Sequence, residues 1–194
     1  MKRRATYLVQ RHKDGLRESE RSCYPDSIMA EAVHPRYEVS ILIQPPFRGR
    51  LDRAALRRLT VRVLRAEGVA PPAEVGIVVT DDEVVRDLNR RYLGIDEPTD
   101  VLSFGHDAAN EPFDKLRTQP FVTPPDGVRR LGEVILSYPT AERQAREAGH
   151  DVQHEATHLL VHGLLHLLGY HHEDPDDERR MRVREDDLLG TRAH

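Results

Sequence analysis

The stretch His162–His172, HGLLHLLGYHH, spaces three histidines as HxxxHxxGxxH. If it continues a helix, His162 and His166 lie one turn apart on one face, where both imidazoles can reach a single ion at about 2.0–2.1 Å. Gly169, three residues after His166, can take the left-handed backbone that ends a helix, turning the chain back and bringing His172 toward the same ion. Three protein ligands leave a fourth position open to water, the arrangement of a catalytic rather than a structural zinc. A lone HxxxH pair arises easily in an apolar helix, but a packed core rarely holds three neighbouring histidines without polar partners. The spacing therefore predicts one Zn2+ per chain on His162, His166 and His172.

A second motif lies just upstream. His154, Glu155 and His158 spell HEATH, a match to the HExxH of zinc metalloproteases, in which the glutamate is the general base. His150, His154, His158, His162 and His166 advance by four residues each time. Each such step leaves a residual rotation of about 40°, so His154 and His166 end about 120° apart and cannot all serve one metal. After HEATH, the glycine and third histidine of the longer protease pattern would fall on Val161 and Leu164, which cannot do those jobs. HEATH is therefore read as incidental, with His158 as a pocket or packing residue. At the downstream site the protease glutamate is replaced by Gly163, which disfavours a peptidase.

Composition narrows the setting. A chain of 194 residues, 38% of them apolar, is sized for one core, and no apolar run approaches the roughly 20 residues of a membrane span. The start, MKRRATYLVQ, has the charges of a signal peptide without its apolar stretch or cleavage site, and the single cysteine, Cys23, rules out an internal disulfide. A cytoplasmic location without membrane attachment is expected. The net charge of −4 argues against wholesale nucleic-acid binding but averages an acidic segment, Glu173–Glu178, with arginine clusters elsewhere.

Residues 1–35 show no sustained period and are expected to be a disordered N-terminal extension, with Met29 as an alternative start. Residues 36–190 then form one domain. YEVSILI (Tyr37–Ile43) predicts a strand stopped by Pro45 and Pro46. An arginine-studded helix follows over 52–67, with Asp52 as N-cap and Leu56, Leu59, Val63 and Leu64 on one face. Strands are predicted at 74–80, 100–104 and 132–137, and helices at 81–92, 139–148, 152–168 and 176–189, the last with Pro175 in its first turn. Residues 105–130, rich in Pro, Asp and Gly, predict a long loop. Strands interspersed with helices and ending in a helical half give an α/β or α+β layer.

HGLLHLLGYHHEDPDDERRMRVREDDLL resembles the signature of the YbeY family of bacterial endoribonucleases, HGxLHLxGYDH followed by a helix carrying Met and Glu, here Met181 and Glu185. LNRRYLGIDEPTDVLSF (Leu88–Phe104) is similar to that family's second hallmark. LGEVILS with the downstream ERQAREAGH resembles its third. The resemblance implies an α+β, zincin-like single domain, a small mixed four-stranded sheet packed with about five to six helices. It also implies one zinc on His162, His166 and His172 and hydrolysis of RNA phosphodiesters. The expected role is ribosomal RNA processing at the 3′ end of the small-subunit RNA, with ribosome quality control, and the expected partners are ribosomal RNA and the small ribosomal subunit. Two positions depart from the family pattern. His171 stands where the family usually has Asp, and Leu93 stands where it often has an Arg implicated in activity.

A zinc-bound water is the expected nucleophile, since the ion lets it ionise near neutral pH. With Gly163 in place of a carboxylate, the proton acceptor is sought at Glu133, where the family more often has Asp, and at His171, because imidazole exchanges protons readily near neutral pH. Arg91 or its neighbour Arg90 is expected to offset charge on phosphate in place of the residue missing at Leu93. Thr99, Asp100 and Ser103 are expected either to line the cleft or to serve as caps and turn residues. Two other functions stay open: a ribosome-assembly factor whose metal is mainly structural, and a metallopeptidase.

Overall fold

The computed structural model describes residues 6–9, 36–105, 127–171 and 174–190. Five strands, β1 (Thr6–Val9), β2 (Tyr37–Ile43), β3 (Ala73–Thr80), β4 (Val101–Gly105) and β5 (Arg129–Ser137), form one mixed sheet in the order β1-β4-β5-β3-β2. β2, β3 and β5 run parallel, β4 is antiparallel to β5, and β1 is parallel to β4. The helices are α1 (Arg53–Ala66), α2 (Asp82–Leu93), α3 (Tyr138–Ala148), α4 (Val152–Leu167) and α5 (Pro175–Leu189). The fold is α+β, as the four strands and helical second half of the sequence predict.

Two expectations need correction. Within the segment read as a disordered extension, Thr6–Val9 form a strand against the outer edge of β4. The sequence TYLV is rich in β-formers, and the β4 edge supplies the partner that periodicity alone could not reveal. β5 begins at Arg129 rather than near Gly132, because Arg129 and Arg130 pair with Ala73 and Glu74 of β3. Most of the predicted long loop, residues 106–126, lies outside the described residues.

Alternation along the strands separates two cores. Val101, Val134 and Leu136 belong to the large core shared with α1, α4 and α5. Leu102 and Ile135 belong to a smaller one with Val85 of α2, joined by Val78, Leu88, Leu93 and Phe104. α2 thus covers one face of the sheet and α4 the other. Leu159, Leu160, Val161, Leu164 and Leu165 of α4 are all buried, so the C-terminal half of this helix is enclosed on most sides, while His154 nearer its start is exposed.

Local chemistry sets the helix ends. Asp52, Asp81, Ser137, Asp151 and Asp174 each cap a helix by accepting a backbone N–H. Asp82, in the first turn of α2, also accepts from Ser137, from Thr140 Oγ1 at 2.7 Å and from Arg143 at 2.8 Å, joining α2 to α3. Burial alone would raise its pKa, but these three donors outweigh it and hold the carboxyl below the ordinary carboxylate range.

Candidate metal site

α4 reaches its position because Gly163 has no side chain. A Cβ there would lie 2.6 Å from Val134 Cγ1 and 3.1 Å from both Ser103 Oγ and Val101 Cγ2. The helix backbone therefore rests directly on β4 and β5, and Ser103 Oγ donates to the Gly163 carbonyl at 3.0 Å. The position where a protease would carry its glutamate has no room for one.

His162 and His166 flank this contact. Their Nε2 atoms are 3.1 Å apart. His162 Nδ1 bonds the carboxylate of Glu185 on α5, and His166 Nδ1 lies 2.9 Å from the Tyr170 carbonyl oxygen. With each Nδ1 turned to an acceptor, the two Nε2 atoms face one another. Two ligands at zinc distances and a tetrahedral angle would stand about 3.3 Å apart. The pair matches the spacing of two zinc ligands and each imidazole has an outer hydrogen bond of the kind that steadies a metal-binding ring, while no group of three such donors is assembled among the described residues.

The turn that follows is a glycine-terminated helix end. Gly169 has φ +89°. Its N–H bonds the His166 carbonyl and the Tyr170 N–H bonds the Leu165 carbonyl, each at 3.0 Å, the two bonds of a Schellman motif. Tyr170 is then anchored through its hydroxyl to Glu67 Oε2 at 2.9 Å, and Glu67 is gripped by Arg184 Nε at 2.5 Å. That bond to Glu67 raises the Arg184 pKa further above its ordinary range. Glu67 and Glu185 receive no role from spacing, since Glu185 reaches His162 from α5 and Glu67 reaches Tyr170 from the end of α1.

The remaining predicted residues are scattered. His172 lies outside the described residues. His171 is half-buried directly after Tyr170. Glu133 is exposed and sits on the opposite face of the sheet: it pairs across with Phe104, whereas its neighbour Val134 points at α4. Strand alternation thus removes Glu133 from the histidine pair. Arg91 is carried by α2 on that same far face and bonds Asp87 at 2.6 Å, as Arg90 does at 2.7 Å. Neither Glu133 nor Arg91 is brought to His162 and His166. Leu93 packs into the smaller core. Asp100 and Ser103 are buried structural residues: Asp100 accepts from Val101 N and from Gln144, and Ser103 holds α4. Thr99 bonds Asp100. In HEATH, Glu155 is fully buried with its carboxylate 3.1 Å from His150 Nε2, and His150 in turn packs against the His154 ring.

The family model described as Endoribonuclease YbeY matches residues 48–192. The chain belongs to the YbeY family. Proteins named Endoribonuclease YbeY are similar to it at 44% identity over 149 residues in Dehalococcoides mccartyi, covering 77% of this chain and 86% of the relative. Another, from Roseiflexus castenholzii, is 42% identical over 154 residues, 79% of this chain and 91% of the relative. A solution structure from Thermotoga maritima aligns with a TM-score of 0.47 at 22% identity, covering 79% of this chain and 90% of that one. The YbeY match spans α1 to α5 and therefore includes the histidine pair with every group that supports it.

Proposed function

We propose that this YbeY-family chain is a zinc-dependent endoribonuclease acting on single-stranded ribosomal RNA, at the 3′ end of the small-subunit RNA and in ribosome quality control. Its partners are then ribosomal RNA and the small ribosomal subunit, in the cytoplasm. No helix among the described residues is long and apolar enough to cross a membrane. The observation that carries the proposal is the pair of Nε2 atoms 3.1 Å apart, backed by acceptors on both Nδ1 atoms. Zinc would be held by His162, His166 and His172.

When bound, zinc supplies Lewis acidity and a water activated near neutral pH. The protein's own part is positional. Glu185 and the Tyr170 carbonyl fix the tautomer and tilt of both rings, and the Gly163 contact fixes their height above the sheet. Glu133 stands across the sheet, so His171 is the remaining proton carrier of the original pair of candidates; its imidazole would take a proton and return it to the leaving oxygen. The same contact argues against peptidase chemistry, which needs a carboxylate where Gly163 lies against Val134.

The test joins metal analysis to cleavage of precursor ribosomal RNA. About one zinc per chain is expected, with cleavage lost on chelation and in His162→Ala and His166→Ala. RNA binding without cleavage in the zinc-loaded chain would instead favour an assembly factor with a structural metal. Undiminished cleavage by both variants would overturn the metal assignment.

A further inference from the structure

The histidine ladder continues beyond the pair already described. His154 Nε2 and His158 Nε2 are 3.0 Å apart, and their ring centroids are separated by 4.6 Å, the same as for His162 and His166. His154 is exposed and His158 half-buried. His150, the next rung, also packs edge-on against His154 with ring centroids 4.6 Å apart, while its Nε2 lies 3.1 Å from the buried Glu155 carboxylate. With about 40° of rotation per rung, imidazoles two rungs apart diverge, and it is His154 and His158 whose Nε2 atoms approach one another.

We propose that His154 and His158 form a second, solvent-facing site for a borderline transition-metal ion, independent of the site at His162 and His166. Eight residues of helix put the two pairs about 12 Å apart along the axis, too far for a shared ion. Two imidazoles suit Zn2+, Ni2+ and Cu2+ and not Mg2+ or Ca2+, which prefer oxygen, and Cu2+ heads the affinity order. Water completes the coordination, so the ion exchanges more readily than one held by three histidines. The site binds without hydrolysing peptides, since Glu155, the base of the HEATH motif, faces the core. The inference stands whether or not the chain cleaves RNA.

The experiment uses the full chain, stripped of metal, reloaded with one equivalent of zinc and titrated with Cu2+ alone. Calorimetry reads the binding steps and electron paramagnetic resonance counts coordinated nitrogens. Wild type should take up a Cu2+ equivalent showing two imidazole nitrogens. His154→Ala and His158→Ala should each weaken that step at least about tenfold, the size that loss of even an outer-shell partner produces. His154→Gln, at the exposed position, guards against misfolding, and circular dichroism checks each variant. His162→Ala should lose the zinc equivalent and keep the Cu2+ step, which separates this inference from the proposal for the first site. A wild type with no such Cu2+ step, or an unchanged step in folded His154→Ala and His154→Gln, would overturn it.

Discussion

Tyr170 binds Glu67 through its hydroxyl while its own carbonyl oxygen receives His166 Nδ1, so a residue at the end of α1 steadies a histidine on α4. Glu67→Gln and Tyr170→Phe should therefore weaken zinc retention by about 10–100-fold, the range typical of outer-shell losses. Competition against a chelator measures this, and equal retention in both variants would show that the Schellman turn alone positions the carbonyl.

Glu185 supports the other ring directly. Glu185→Ala should release zinc more readily than wild type by a similar factor of about 10–100, while Glu185→Gln, which keeps an acceptor oxygen, should lose less. The ranking of the two variants in the same chelator competition is the decisive reading.

Gly163→Ala forces a methyl group into the contact with Val134, Ser103 and Val101. Overpacking of this kind costs about 1–3 kcal/mol. Thermal unfolding should show the loss in both zinc-loaded and zinc-free protein, and an unchanged midpoint would mean that α4 can lift from the sheet at no cost.

Asp82 makes stability depend on acidity. Its carboxyl is held below the ordinary value of 3.8, so its contribution is fully present above that value and is lost as pH falls through the folded-state pKa. Asp82→Asn should cost about 1 kcal/mol at pH 7, less than the roughly 1.5–3 kcal/mol of a charge-assisted bond because the carboxylate is partly solvated. The wild-type and variant stability curves should meet as the solution is acidified below about pH 4. A gap that stays constant to lower pH would assign the loss to packing instead of charge.

Leu93→Arg restores the side chain the family often carries, but Leu93 packs beside Leu88 and Phe104 in the smaller core. Placing a guanidinium there should lower stability by about 1–3 kcal/mol unless the side chain reaches water. Denaturant unfolding run beside RNA cleavage tells the two effects apart. Raised cleavage at undiminished stability would show that the core tolerates the charge and that its absence limits the enzyme.

Legibility in the sequence followed the range of the interactions involved. Asp52 as a cap, Gly169 as the left-handed terminus and the shared face of His162 and His166 are consequences of helix geometry within a few residues, and all three are present. Glu133 was misjudged because its distance from the histidines depends on which way Val134 faces, and that is settled by α4, far along the chain. The support at Glu67 is illegible for the same reason, and Glu185, although part of the family signature, shows its bond to His162 only once α5 is packed against α4. β1 was missed because a four-residue strand gains its definition from the edge it joins.

Where the α4 backbone at Gly163 packs against the Ser103 and Val134 side chains, Gly163, Ser103 and Val134 share one fixed allotment of space. A larger residue at any one of them must be matched by a smaller one at another, or the histidines shift relative to the strands. These three positions, drawn from a helix and two strands, should therefore vary together among relatives as a single volume.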